Sequence, residues 1–476
     1  MENSNYKCFR VQTYQKAYAF QSFCYQKTYF CASKNTFYTE GSVFDVKVNC
    51  KTVIMNFLEE LKWRGMLHDV TPGVEEALKN EGVVGYIGFD PTAPSMTIGN
   101  YVQIMLLKFW QLSGNNPIML FGGATGRIGD PSGKDAERQL KTGDELDKNL
   151  SFQMEQARKF LDFEGEHAAI FVNNYDFYKD MNALDFLRDV GKTITVSYML
   201  SKESVKRRLE TGLSFTEFSY QLLQSYDYQY LFQKHNCIVQ MGGSDQWGNI
   251  TSGTEFIRRN LDAKAYAITT PLLTKADGSK FGKSEKGNIW LDPKMTSPYK
   301  FYQFWINADD RDLPKFMRYF SLKSRAEIEG LETEYADNPR ELKRILAEEL
   351  TIRVHSQADY ASVLKVSDIL FGKSDAEILR GMSAAELAMI AEEIDTFTVS
   401  KTDLEGGINI TDLLAEKTTI LKSKTEARKA IQNNAISVNK VKIGTHEFIV
   451  NAEQLLKDRF VMVENGKKNK YLLVVG

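Results

Sequence analysis

Four stretches of this chain carry residue types and spacings suited to chemistry on a polar, phosphorylated substrate. In KFGKS, Lys280 to Ser284, two ammonium groups stand three residues apart on a chain made pliable by Gly278, Gly282 and Gly287. Such a loop is either a solvated turn or a device that closes on a polyphosphate and holds the charge that develops during transfer. In SYQLLQSYD, residues 219–227, Tyr220, Gln224 and Asp227 recur at i, i+4 and i+7, on one face of a helix. That face is either exposed surface or, given its apolar flanks, a buried polar trio that needs a polar ligand. GGSDQWG, residues 242–248, follows an apolar run. Its glycines permit close backbone approach to a ligand, or its Asp245 simply closes an Asx turn. The fourth stretch, VVGYIGFDPTAPSMTIGN at 83–100, leaves an apolar run through a Gly- and Pro-punctuated turn and restarts as a helix.

Standard phosphate fingerprints do not fit these loops. The pattern G-x-G-x-x-G is absent from GFDPTAP and GGATGRIG, GDPSGKD is one residue short of a P-loop, and DGSKFGKS has Asp where the first Gly belongs. The phosphate-binding mode must be another one. The 5 histidines are scattered, none at metal-ligand spacing, so no zinc or other protein-held metal is expected.

The elements that must position these residues read as parallel α/β. Six of the seven residues Val83 to Phe89 are apolar or Gly, which suits a strand covered on both faces. Ile98, Tyr101, Val102, Met105, Phe109 and Leu112 follow at helical spacing, closed near Gly114, and Pro117 to Phe121 is a second strand. Strand, helix, strand is a βαβ unit, with ligands expected at the carboxyl ends of the strands. Ala169 to Val172 and Cys237 to Met241 are further short strands, each followed by polar turn residues. From Pro298 to about Glu393 the chain is helical and charged, and Gly406-Gly407 precedes a basic end.

A chain of 476 residues exceeds one hydrophobic core, so several domains are expected. The boundaries read as an extension at 1–54, a Rossmann-like catalytic domain at 55–273, a mobile KFGKS loop and linker at 274–297, a helical domain at 298–400 and a small α+β domain at 401–476. The extension holds twelve Phe and Tyr and three acids, without sustained periodicity, so no fold or function is assigned to it. It lacks the apolar core of a secretory signal; a transit peptide, with scarce acids but almost no arginine, is the alternative to an unstructured extension before Met55. Four of the 5 cysteines fall in the first fifty residues, which argues against a secreted disulfide framework and for a cytoplasmic body. No apolar run reaches the roughly 18–20 residues that cross a bilayer. Net charge is -2, but residues 401–476 hold 13 Lys/Arg against 9 Asp/Glu, so any nucleic-acid surface is local.

PTAPSMTIGN and KFGKS resemble the two signatures of class I aminoacyl-tRNA synthetases. The segments between resemble the bacterial-type tyrosyl-tRNA synthetases: IGDPSGK (128–134), NNYDFYKDMNALDFLRDVGK (173–192), SFTEFSYQLLQSYD (214–227), QMGGSDQWGNITSG (240–253) and TSPYKFYQFWIN (296–307). The resemblance runs from about Met55 to Gly476. It implies that Tyr86 and Asp227 bind the phenolic hydroxyl of a substrate tyrosine, and that Tyr220, Gln224 and Asp130 hold its ammonium group. ATP would meet Gly88, Asp90, Gly243, Asp245, Gln246 and Lys283. Thr92, Lys280, Lys283 and Ser284 would stabilise the leaving pyrophosphate, with Lys134 and Arg138 as helpers for tyrosine or the tRNA end. Mg²⁺ would accompany ATP. The product would be tyrosyl-tRNA(Tyr), made by a homodimer without membrane contact.

Two departures stand out. Where the family's first signature usually has two histidines, this chain has Thr97 and Asn100, both still able to donate hydrogen bonds. Ile87 occupies a position that is often polar or small. A lost contact would lower activity by one or two orders of magnitude, at about 1.4 kcal/mol per tenfold. Rival readings are a catalytically weakened paralogue that binds RNA, and another class I-like nucleotidyltransferase.

At the C-terminus, LKSKTEARKAIQNNAISVNKVKI reads as a basic helix, an Asn-Asn turn and a hairpin turning at Asn439-Lys440. It resembles the S4-type RNA-binding module, which implies RNA contacts from Lys422, Lys424, Arg428, Lys429 and Lys440.

Overall fold

A computed structural model describes residues 29–31, 36–39, 42–45, 55–133, 138–284 and 287–476. The chain forms two units, Met1–Ile54 and Met55–Gly476. In the first, strands Tyr29–Cys31, Thr36–Thr39 and Ser42–Asp45 pair antiparallel in sequence order.

In the second unit, β1 (Val84–Phe89), β2 (Asn116–Phe121), β3 (Ile170–Asn173), β4 (Cys237–Gly243) and β5 (Tyr266–Thr270) form one parallel sheet in the order β3-β2-β1-β4-β5. Strand order reverses between β1 and β4, which is where such sheets open a crevice for ligands. β5 adds a strand beyond those the sequence indicated. Helix α1 (Ile98–Leu112) buries its apolar stripe, including Ile98, Tyr101, Met105 and Trp110, against the sheet. Gly85 permits that contact, because a Cβ there would lie 2.8 Å from the Trp110 ring. Helices α2 (Phe215–His235) and α3 (Trp247–Leu261) complete the covering layers.

Past the sheet, α4 (Pro298–Ile306), α5 (Leu313–Phe320), α6 (Pro339–Val354) and α7 (Gln357–Phe371) pack around an aromatic cluster of Trp305, Phe316 and Phe320. Phe281 of KFGKS joins it, stacked on Phe320 at 5.3 Å.

After α8 (Ala384–Ala391), a second sheet combines β6 (Asp395–Val399), β7 (Ile436–Val438), β8 (Val441–Lys442), β9 (Phe460–Asn465) and β10 (Asn469–Val475), ordered β6-β10-β9-β7-β8. β6 pairs parallel with β10, so this sheet takes a strand from ahead of the boundary expected at residue 401. Alternation along its strands splits the two faces. Val461, Val463 and Leu473 fill the domain's own core, whereas Phe460, Met462 and Leu472 belong to the continuous core shared with Leu379, Leu387 and Ile390. The hairpin turns at Asn439 and Lys440, both at positive φ (46° and 68°), as the sequence indicated.

Candidate active site

At the carboxyl ends of β1, β2 and β4 lies a cavity of about 330 Å³, within the size range of small-ligand sites. Tyr86 from β1, Asp130 from the loop after β2, and Tyr220, Gln224 and Asp227 from α2 all line it. So do Gly88 and Gly243 from the ends of β1 and β4, and Asp90, Thr92, Asn100, Asp245 and Gln246 from the loops that follow them and from the first turn of α1. Residues far apart in sequence converge because each strand ends on the same edge.

The hydrogen bonds divide the cavity into two polar clusters. In the deeper one, Asn174, fully buried, donates to Asp227 Oδ2 at 3.1 Å and to Thr125 Oγ1 at 3.0 Å. Thr125 donates its hydroxyl hydrogen bond to Asp90 Oδ1 at 2.7 Å, and Tyr220 donates to Asp90 Oδ2 at 2.9 Å. Gly122 makes room for this meeting, since a Cβ there would fall 1.9 Å from Asp90 Oδ1. In the second cluster, Gln246 donates to Asp130 Oδ2 at 2.7 Å and Asn249 to Asp130 Oδ1 at 3.4 Å, while Gln224 reaches Gln246 at 3.5 Å.

Among the described residues six buried polar atoms of cavity-lining side chains have no protein partner: Tyr86 Oη, Asp227 Oδ1, Arg138 Nε and the amide oxygens of Gln103, Gln224 and Gln240. Such groups are costly unless a ligand pairs with them. Burial raises the Asp227 carboxyl to about 7, against the pull of the Asn174 hydrogen bond, and keeps the Tyr86 phenol protonated by raising it well above its usual value. Burial likewise lifts Asp90 to about 6, with the Thr125 hydroxyl opposing. The pair Tyr86 and Asp227 therefore offers one donor and, when Asp227 is ionised, one acceptor, the complement of a phenolic hydroxyl.

Sequence comparison agrees with this geometry. Residues 78–372 match the family of tRNA synthetases class I (W and Y), and residues 386–474 match the tyrosine--tRNA ligase SYY-like C-terminal domain. The tyrosine--tRNA ligase of Cytophaga hutchinsonii is 54% identical over 423 residues, covering 88% of this chain and 99% of that protein. That of Bacteroides fragilis is 48% identical over 428 residues, covering 88% and 100%. The chain belongs to the class I tyrosine-tRNA ligase family. Among solved structures, a C-terminally truncated mitochondrial tyrosyl-tRNA synthetase from Aspergillus nidulans is 30% identical with a TM-score of 0.59, covering 66% of this chain and 94% of that one.

Of the other residues that the ligase resemblance singled out, some lie away from the cavity. Thr97 is the N-cap of α1 and is tied to Asn100 in a capping box, its hydroxyl donating to Asn100 Oδ1 at 2.7 Å. Lys280 and Lys283 are exposed and do not line the cavity; Lys283 borders a separate depression with Lys275 and Lys300. The Ser284 side chain and Lys134 lie outside the described residues. Arg138 does line the cavity, with its Nε buried and unpartnered.

On the C-terminal domain, Lys422, Arg428 and Lys429 are exposed, on and just before helix α9 (Lys424–Gln432). Lys424 is held by Asp412 and Glu416 at 2.7 and 2.9 Å. Lys440 corrects the expectation of an RNA contact: its side chain is 9% exposed and donates to the Ile369 carbonyl and to Glu464. Sequence reasoning passed over Thr125, Asn174, Gln103 and Gln240. The signal for Gln240 was present, a lone amide inside the apolar strand CIVQMGG. Asn174 stood among ordinary polar turn residues, which are plentiful after any strand.

Proposed function

We propose that this chain ligates L-tyrosine to tRNA(Tyr), activating tyrosine with MgATP to tyrosyl-adenylate and then transferring it to the terminal ribose hydroxyl of the tRNA. The observation that carries the reading is the unpartnered pair Tyr86 Oη and Asp227 Oδ1 on one cavity wall. Tyr86 donates to the substrate's phenolic oxygen and Asp227 accepts its proton. Phenylalanine leaves both unpaired, which disfavours it.

Asp130, Tyr220 and Gln224 surround the ammonium group, and the bonds from Thr125 and Tyr220 keep the Asp90 carboxylate in place beside it. The tyrosine carboxylate is already ionised, so no general base is required. Its oxygen attacks the α-phosphorus of ATP in line, the bond to the bridging oxygen breaks, and pyrophosphate leaves. Gly88, Gly243, Asp245 and Gln246 border the nucleoside. Thr92, Asn100 and, through a movement of their loop, Lys280, Lys283 and Ser284 meet the phosphates. In the second step the tRNA hydroxyl attacks the mixed anhydride and AMP departs.

Among the described residues no group of three His, Cys, Asp or Glu side chains is arranged to hold a metal ion. Mg²⁺ would enter with the ATP phosphates. Lys422, Lys424, Arg428 and Lys429 serve the tRNA backbone electrostatically. A cytoplasmic homodimer belongs to this reading: Leu184, Leu187, Val196 and Phe215 are exposed large apolar side chains, a surface that a second copy would cover.

Tyrosine-dependent ATP–pyrophosphate exchange tests the function. Exchange that needs tyrosine and ignores phenylalanine is expected, and exchange driven by another amino acid but not by tyrosine would refute it.

A further inference from the structure

The start of α1 and the KFGKS loop, far apart in sequence, meet on one side chain of the helical region, Phe320, the fully buried last residue of α5. Tyr101, next to Asn100 on α1, stacks on it with ring centroids 5.9 Å apart and planes 3° from parallel. Phe281, between Lys280 and Lys283, stacks on it at 5.3 Å and 23°. Gly282 brings the loop against the first turn of α1, since a Cβ there would lie 2.7 Å from Ile98 Cγ2 and 3.4 Å from Gly99 N. The chain beyond the loop then pairs with the segment entering that helix: Ile98 N donates to Ile289 O and Leu291 N to Met96 O, both at 2.9 Å.

Phe320 is itself held by a residue that does not line the cavity. Arg353, near the end of α6, donates to the Phe320 carbonyl at 2.6 Å and to Tyr101 Oη at 3.3 Å. Its guanidinium also pairs with Glu349, one turn earlier, and Glu349 accepts from Ser321 Oγ at 2.7 Å and from Leu322 N at 2.8 Å. A helix ends on carbonyls that its own turns leave unpaired, and here α6 supplies the donor for the last of them. The end of α5, and the ring it carries, are thereby fixed relative to α1. We propose that Phe320 and Arg353 are positioning residues for the phosphate chemistry: Arg353 fixes the Phe320 ring, and that ring sets Asn100 and the point from which Lys280 and Lys283 reach in register with one another. The inference rests on reading the cavity as a tyrosine-activating site whose phosphates those three residues meet. Groups on two separate segments must converge on one polyphosphate, and a misplacement of about 1 Å costs up to about 100-fold in rate.

The test compares the unaltered protein with Phe320→Leu, which keeps apolar bulk without the stack, and with Arg353→Met and Arg353→Lys. Its readouts are steady-state ATP–pyrophosphate exchange and tryptic cleavage after Lys280 and Lys283, located by mass spectrometry. In Phe320→Leu and Arg353→Met, kcat should fall and KM for pyrophosphate rise, each about tenfold, while KM for tyrosine stays within about twofold. KFGKS should be cut about tenfold faster in both. Arg353→Lys, which still donates to the Phe320 carbonyl, should recover about threefold of each loss. Should Phe320→Leu or Arg353→Met fail to fold, Tyr101→Phe, which removes only the hydroxyl that Arg353 meets, should show the same pattern at about threefold. A merely structural role lowers the active fraction and leaves KM for pyrophosphate unchanged, and that result overturns the inference. An equal rise in KM for tyrosine overturns it too, as do normal kinetics in variants whose KFGKS is cut faster. If the unaltered protein shows no exchange, the function reading fails by itself, and proteolysis then judges the anchoring alone: KFGKS cut at one rate in every protein overturns it.

Discussion

Asp227 is a carboxyl at 2% exposure whose Oδ2 is held by Asn174 and whose Oδ1 meets the cavity unpartnered. Burial lifts it to about 7, so near neutral pH it titrates where an ordinary aspartate would be fully ionised. With Oδ2 taken by Asn174, a proton on the carboxyl sits on Oδ1 and turns it into a donor, so the ionised form is the stronger acceptor for a phenolic O–H. The accepting form is present above the raised pKa and is lost as pH falls through it, so KM for tyrosine should climb as pH drops from about 8 toward 6. Asp227→Asn keeps the shape and removes the titrating acceptor. It should lower kcat/KM for tyrosine by roughly 30- to 150-fold, the equivalent of about 2–3 kcal/mol for an unmatched buried group, and abolish the limb near 7. A pH series of steady-state exchange rates checks both. An Asp227→Asn profile that keeps this limb would assign it elsewhere, with Asp90, raised to about 6, as the neighbouring titrating group.

At the scale of elements, α1 shows how a substituted signature acquires a structural job. Thr97 caps the helix, Asn100 N donates to its Oγ1 at 3.3 Å, and Asn100 Oδ1 accepts from the Thr97 backbone at 2.9 Å. The donor this pair still offers a phosphate is Asn100 Nδ2. Thr97→Ala should therefore cost about 1 kcal/mol of stability, as a lost cap does, and Asn100→Ala a similar amount. The double variant should melt close to either single one, because both changes remove the same reciprocal pair. Exchange should fall further in Asn100→Ala than in Thr97→Ala; the reverse order would mean that the Thr97 hydroxyl leaves its cap to reach substrate. Calorimetric melting and exchange rates supply the two readouts.

The helix itself was legible in the strict i, i+3, i+4 recurrence from Ile98 to Leu112, and β1, β2 and β4 in their apolar runs. The capping box was not, because Asn is not the usual partner three residues after Thr. β5 was missed because YAITT is short and half polar, and becomes a strand only by pairing with β4. The convergence of Tyr220, Gln224 and Asp227 was readable from helical spacing, but Asn174, which ties Asp227 to Thr125, required the sheet edge to bring two loops to α2. KFGKS read as mobile, yet Phe281 anchors it in the aromatic cluster. Pliability from glycine says nothing about a single apolar side chain that docks.

Over the whole molecule, the placement of the basic C-terminal domain depends on two lysines, one of which, Lys440, the S4-type resemblance gave to RNA. Lys440 Nζ donates to the Ile369 carbonyl at 3.1 Å and to Glu464 at 2.9 Å, and Lys470 Nζ donates to the Leu370 carbonyl at 2.6 Å. Both carbonyls belong to the last turn of α7, where the helix dipole favours a cation and where unpaired carbonyls need donors. Together with Phe460, Met462 and Leu472 in the shared core, these bonds set the C-terminal sheet firmly against the helices. Lys440→Met would strand Glu464, only 13% exposed, without its partner, at a cost of about 3–5 kcal/mol. The domain should then loosen. Limited proteolysis between α7 and β6 should quicken and tRNA charging should fall about tenfold, while tyrosine-dependent exchange, confined to the first sheet, holds within about twofold. Lys429→Ala, on an exposed face of α9, should do the opposite. Proteolysis stays as it was, and the dependence of tRNA affinity on salt falls by about one unit of slope, the mark of one lost phosphate contact. If Lys440→Met shows that salt signature with no change in proteolysis, Lys440 is an RNA contact and the docking rests on the apolar face alone.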